Sequence, residues 1–87
     1  MWKIKFNPQA EKALYRLERQ AKQRLESFMD DLKIRDNPRE IGKALSGDLK
    51  GLWRYRVGDY RVICQIIDNE VVILVVELGH RKEVYRK

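Results

Sequence analysis

Residues 52–67, Leu52-Trp53-Arg54-Tyr55-Arg56-Val57-Gly58-Asp59-Tyr60-Arg61-Val62-Ile63-Cys64-Gln65-Ile66-Ile67, decide the fold. Strand-like runs at 52–57 and 60–67 flank Gly58-Asp59, a pair suited to a two-residue hairpin turn. With such a turn the register follows by counting. Val57 falls opposite Tyr60, Arg56 opposite Arg61, and Arg54 opposite Ile63. Directly opposed residues share a face, and successive side chains in a strand alternate between faces. Arg54, Arg56 and Arg61 therefore point to one side. Trp53, Tyr55, Val57, Tyr60, Val62, Cys64 and Ile66 point to the other, the side on which a covering layer is expected. Like charges set directly opposite each other cost a sheet stability. Three arginines on one face of a hairpin therefore mark a place for an anion.

Downstream, Asp68-Asn69 reads as a second two-residue turn and 70–78 as the last strand. That turn would set Glu77 opposite Tyr60 and Val76 opposite Arg61. The last strand would then end beside Gly58-Asp59, with Gly79 breaking the pattern and His80 and Arg81 just beyond the edge. The polar tail that carries Tyr85 would be close enough to fold back over it. Upstream, Trp2, Ile4 and Phe6 alternate with Lys3 and Lys5, the pattern of a short strand with one buried face. Asn7-Pro8 supplies a helix start, Asn as cap and Pro at the first helical position. Ala10, Ala13, Leu14 and Leu17, then Ala21, Leu25, Phe28, Met29 and Leu32, follow at helical spacing. One straight helix of this length would be long for so small a chain, so a bend is expected near residues 18–20. Asp36-Asn37-Pro38 ends the helical region. Residues 37–51, with a proline and several glycines, read as a connecting loop. The order β-α-α-β-β-β predicts one α+β domain over 1–87, a helical hairpin packed on a mostly antiparallel four-stranded sheet.

The chain has 87 residues, 19 Lys and Arg against 13 Asp and Glu, and a net charge of +6. So basic a small domain suits a polyanion, RNA or DNA first, or an acidic protein. A hydrophobic share of 44% excludes a disordered chain. Cys64 is the sole cysteine, so the chain can form no internal disulfide, as suits a reducing cytoplasm. Its apolar neighbours mark it as a small buried hydrophobe rather than a nucleophile. The start MWKIKFNP lacks an apolar signal core, and the longest apolar run, 71–76, is far too short to span a membrane. A soluble, cytoplasmic protein with no membrane partner is expected.

The residue types that gather at the hairpin edge suit phosphodiester chemistry. Arginine offers a planar, permanently charged fork that matches phosphate oxygens. Such charges hold an RNA backbone and stabilise the extra negative charge of a transition state. Histidine moves protons near neutrality, and tyrosine stacks on a base or moves a proton at higher cost. RNA brings its own nucleophile, the 2′-hydroxyl, so this chemistry requires no metal, cofactor or protein nucleophile. The candidate catalytic residues are Arg61, Arg81, Tyr85 and His80. The candidate phosphate contacts are Arg54, Arg56, Lys50 and Lys82. Taken singly, each is an ordinary surface or edge residue; their convergence marks the site.

The same residues carry a resemblance. Leu45-Ser46-Gly47, together with 52–62, is similar to the central segment of RelE/ParE-superfamily toxins of type II toxin–antitoxin systems. Gly79-His80-Arg81-Lys82-Glu83-Val84-Tyr85 resembles the C-terminal motif of the RelE branch. The element order is also similar, and the resemblance covers essentially the whole chain. It implies an endoribonuclease (an mRNA interferase) that enters the A site of the 30S ribosomal subunit, cleaves the bound mRNA through the 2′-hydroxyl without a metal, and so inhibits translation. It implies that Arg61 and Arg81 hold the scissile phosphate, and that Tyr85 orients, stacks on or deprotonates the substrate. The best-known RelE carries lysines where this chain has Arg54 and Arg56, one of them proposed as general base, and His80 also takes the place of a lysine there. Arginine keeps its proton at any ordinary pH. The base role therefore passes to His80 or Tyr85. The resemblance also implies a RelB-like antitoxin partner, acidic and partly disordered. Two other readings remain at this point: a ParE-like toxin that inhibits DNA gyrase without cutting RNA, and an RNA- or ribosome-binding domain without toxicity.

Overall fold

The computed structural model of the protein describes residues 1–81; Lys82 and Tyr85 lie outside the described residues. Strand β1, Lys3–Phe6, leads into helix α1, Pro8–Arg16. The Asn7 side chain accepts from the Ala10 N–H at 2.8 Å and caps the helix, with Pro8 in its first turn. Asn7 also donates from Nδ2 to the Val76 carbonyl at 3.1 Å, which ties the start of the helix to the last strand. Leu17 turns extended, and Glu18 caps helix α2, Arg19–Lys33, by accepting from the Ala21 N–H at 3.2 Å. The break thus falls where expected, made by a cap rather than by Gly or Pro.

Next come β2, Lys43–Ala44, and β3, Trp53–Val57. Strands β4, Tyr60–Ile67, and β5, Val72–His80, complete the sheet. Among the described residues the sheet has five strands in the order β1-β5-β4-β3-β2. Strand β1 runs parallel to β5, and the other pairs are antiparallel. The expected four-strand sheet gains β2, two residues inside the stretch read as a loop. A two-residue strand is too short to show any alternation.

The β3–β4 hairpin has the counted register: Val57 opposite Tyr60, Arg56 opposite Arg61, Arg54 opposite Ile63. Gly58 takes φ 60, the left-handed conformation that a tight hairpin needs at its first turn position. Tyr55, Val57, Val62 and Cys64 join Leu25, Met29, Leu32, Ile73, Val75 and Leu78 in the core, with Trp53 and Tyr60 packed against it. Ile66 is only half-buried. Trp53 and Tyr55 also tie the loop before β2 to the sheet. Trp53 Nε1 donates to the Ile41 carbonyl at 2.8 Å, and the Tyr55 hydroxyl to the Pro38 carbonyl at 2.6 Å. Burial pushes the Tyr55 hydroxyl above its ordinary range.

The β4–β5 register differs from the counted one. Asp68–Glu70 forms a 3₁₀ turn, and Val71 follows in the left-handed region at φ 55, so Ile67 pairs with Val72. An Asp68-Asn69 turn would have paired Ile67 with Glu70; the longer loop moves the register by two residues. An irregularity between Ile63 and Cys64 adds one more. Tyr60 therefore lies opposite His80 instead of Glu77, and Arg61 opposite Gly79 instead of Val76. Gly79 does not break the strand, which runs on through His80.

Candidate functional site

The sheet face away from the helices presents two rows of side chains that cross the strands. One row is Arg56 on β3, Arg61 on β4 and Gly79 on β5. The other is Lys43 on β2, Arg54 on β3, Ile63 on β4 and Glu77 on β5. Each row contains two cations set directly opposite one another, which a sheet selected only for stability avoids.

Arg56 is exposed, whereas Arg61 is 7% exposed, unusual burial for an arginine. Its Nη1 donates to the Tyr60 carbonyl at 3.4 Å. Gly79, opposite Arg61, carries no side chain, and Ile63 on the same face is 1% exposed, so the centre of this face is covered rather than open. Arg54 is half-buried, and its Nε is shielded from solvent with no hydrogen-bond partner among the described residues. A buried donor of this kind costs free energy until an acceptor reaches it.

His80 and Arg81 lie at the hairpin end of the sheet. The Arg81 N–H donates to the Asp59 carbonyl at 2.8 Å, and its side chain is exposed. The His80 ring meets the Tyr60 ring edge-on, centroids 5.7 Å apart. Tyr60 and His80 share a recess with Ala13, Arg16 and Leu17 of α1. The structure thus gathers Arg54, Arg56 and Arg61 on one face and puts Arg81 at its end, but sets His80 on the α1 side. The three-residue shift of β5 is the cause. Lys50 is exposed in the loop between β2 and β3. Lys82 and Tyr85 lie outside the described residues.

Lys43 was missed by sequence reasoning. Its signal was faint: a lysine after Gly42 in a loop, brought opposite Arg54 by a strand of two residues. Cys64 is fully buried, and burial pushes its thiol up to about 12, which removes it from any nucleophilic role. Among the described residues no group of three His, Cys, Asp or Glu side chains is placed to hold a metal ion. No helix among them is long and apolar enough to cross a membrane.

Comparison with known proteins agrees with this architecture. The model of a family described as ParE toxin of type II toxin–antitoxin system, parDE, matches residues 4–85. A toxin named RelE from Mycobacterium tuberculosis is 39% identical over 51 residues, which cover 59% of this chain and 53% of that protein. The chain thus spans little more than half the length of the curated toxins it matches. The RelBE2 toxin–antitoxin complex of Mycobacterium tuberculosis contains a similar fold, with TM-score 0.82 and 25% identity over 94% of this chain and 93% of that one. The archaeal RelE–RelB complex of Pyrococcus horikoshii OT3 matches at TM-score 0.72 and 34% identity, covering 95% of this chain and 98% of that one. On this sequence match and fold, the chain belongs to the RelE/ParE superfamily of toxins of type II toxin–antitoxin systems.

Proposed function

We propose that this chain acts as a ribosome-dependent endoribonuclease that cuts mRNA in the A site of the 30S subunit and so inhibits translation. The observation that carries this reading is the pair Arg56–Arg61, two guanidinium side chains set directly opposite one another on the sheet face away from the helices. A phosphate bound at this pair would receive charge-assisted hydrogen bonds from a planar fork. In the reaction the RNA 2′-oxygen bonds to the adjacent phosphorus and the bond from phosphorus to the 5′-oxygen breaks. The 2′-hydroxyl proton passes to a base, and the leaving 5′-oxygen takes a proton from water. Arg61 and Arg81 hold the phosphate and stabilise its developing charge, while Arg54, Arg56, Lys50 and Lys82 bind the flanking backbone. His80 lies against Tyr60 on the α1 side, away from this row. The base role is therefore assigned to Tyr85. Weak intrinsic base chemistry accounts for dependence on the ribosome, which would orient the mRNA.

The partner that holds the toxin in check is a RelB-like antitoxin, acidic and partly disordered, whose charge complements the +6 of this chain. The parDE name of the matched family favours one second reading, inhibition of DNA gyrase without RNA cleavage. Induced expression separates the two. Truncated transcripts with normal plasmid supercoiling support the ribonuclease. Growth arrest with intact mRNA and inhibited gyrase overturns it.

A further inference from the structure

Strand β2 covers only the first part of β3: it pairs with Trp53 and Arg54 and stops. Where it stops, a recess of about 290 Å³ opens at the sheet edge, lined by Lys43, Arg54 and Arg56 over Phe28, Ile41 and Tyr55. Three features show that this edge is held in place. Gly42 has φ +85, and a Cβ there would press on the Arg54 carbonyl and lie 2.5 Å from Trp53 Nε1. The Trp53 indole is in turn fixed by its hydrogen bond to the Ile41 carbonyl. Lys43 is thereby locked opposite Arg54, on the same face. The shielded Arg54 Nε still lacks an acceptor among the described residues.

We propose that Lys43 joins Arg54 in a second phosphate subsite, which adjoins the Arg56–Arg61 row through Arg56 in the shared recess and binds the RNA backbone next to the scissile phosphate. The two cation pairs are centred about 8 Å apart, one strand spacing across and two residues along. A single-stranded backbone running obliquely from β4 to β2 thus meets one pair after the other. The inference rests on the ribonuclease reading for its substrate but concerns binding alone.

The test is the salt dependence of binding to a short single-stranded 2′-O-methyl oligoribonucleotide, which cannot be cleaved. Lys43→Gln is compared with Lys43→Arg and with Lys12→Gln, a loss of equal charge on exposed α1. Lys43→Gln is expected to lower the slope of log K against log salt by about 0.7. It should also weaken binding by up to about fivefold. Lys43→Arg restores both, and Lys12→Gln changes neither. Equal binding by Lys43→Gln and the unaltered chain, or an equal loss in Lys12→Gln, overturns the subsite whether or not the chain cleaves RNA. A Lys43-specific loss in a chain that cuts no mRNA on ribosomes leaves the subsite standing and removes only the ribonuclease.

Discussion

If the opposed arginines exist for binding rather than folding, removing one should make the protein more stable and less able to hold RNA. Arg56→Gln is the suitable change. Arg56 is exposed, so little apolar stem is lost, and glutamine keeps the length of the side chain. Directly opposed residues have Cβ atoms about 5 Å apart, where a like-charge pair costs about 0.2–1 kcal/mol. Relieving it should raise the stability of an 87-residue domain by that amount and the Tm by about 1–8 °C. The gain should shrink in high salt, which screens the repulsion. Thermal unfolding at low and high salt, with affinity for the same 2′-O-methyl oligoribonucleotide measured in parallel, reads both effects. A variant less stable than the parent, or one that binds RNA as tightly, would refute the reasoning. The first result would mean that Arg56 helps hold the sheet together, the second that its charge has no role in binding.

Other positions give further expectations. Gly42→Ala meets a left-handed φ and a Cβ 2.5 Å from Trp53 Nε1, so it should cost about 2–4 kcal/mol in urea unfolding, from backbone strain plus the lost indole hydrogen bond. A cost below about 0.5 kcal/mol would show that the edge is not held tight. Burial pushes the folded Cys64 thiol up to about 12, against 9.0 for the free group. The unfolded chain therefore loses this proton first, and stability should fall as pH rises from about 9 toward 12. Cys64→Ala should flatten this slope, and the native thiol should resist alkylation until the chain unfolds. Arg39 binds Asp68 through two contacts of 2.9 Å and holds its carboxyl below the ordinary range. The stability this pair contributes is present above the usual carboxylate pKa and lost as pH falls through the lowered one, so Asp68→Asn should remove that acid-side dependence.

The fold could be read wherever a period was long enough to see. The two helical stripes, the alternation at 2–6 and the Gly58-Asp59 hairpin each span several residues, and each appears in the structure. The Arg56–Arg61 opposition needed only a tight turn, which Gly58 at φ 60 supplies. What escaped depended on single residues. Val71 in the left-handed region lengthens the β4–β5 loop, although a β-branched residue gives no hint of that conformation. The irregularity at Ile63/Cys64 leaves no mark in the apolar run 62–64. Together they move His80 from beyond the edge to a place against Tyr60. Likewise Lys43 joins the basic face through the two residues of β2, held by an indole hydrogen bond that no spacing announces.

The central claim, cleavage in the A site by an arginine-lined sheet face, is tested most directly on ribosomes programmed with a defined mRNA. Cut sites are mapped by primer extension for the unaltered chain, Arg81→Ala and Arg56→Gln. The account predicts cuts within the A-site codon that are abolished in Arg81→Ala and weakened in Arg56→Gln. Intact mRNA with the unaltered, folded chain, or cuts that both variants leave unchanged, would contradict it.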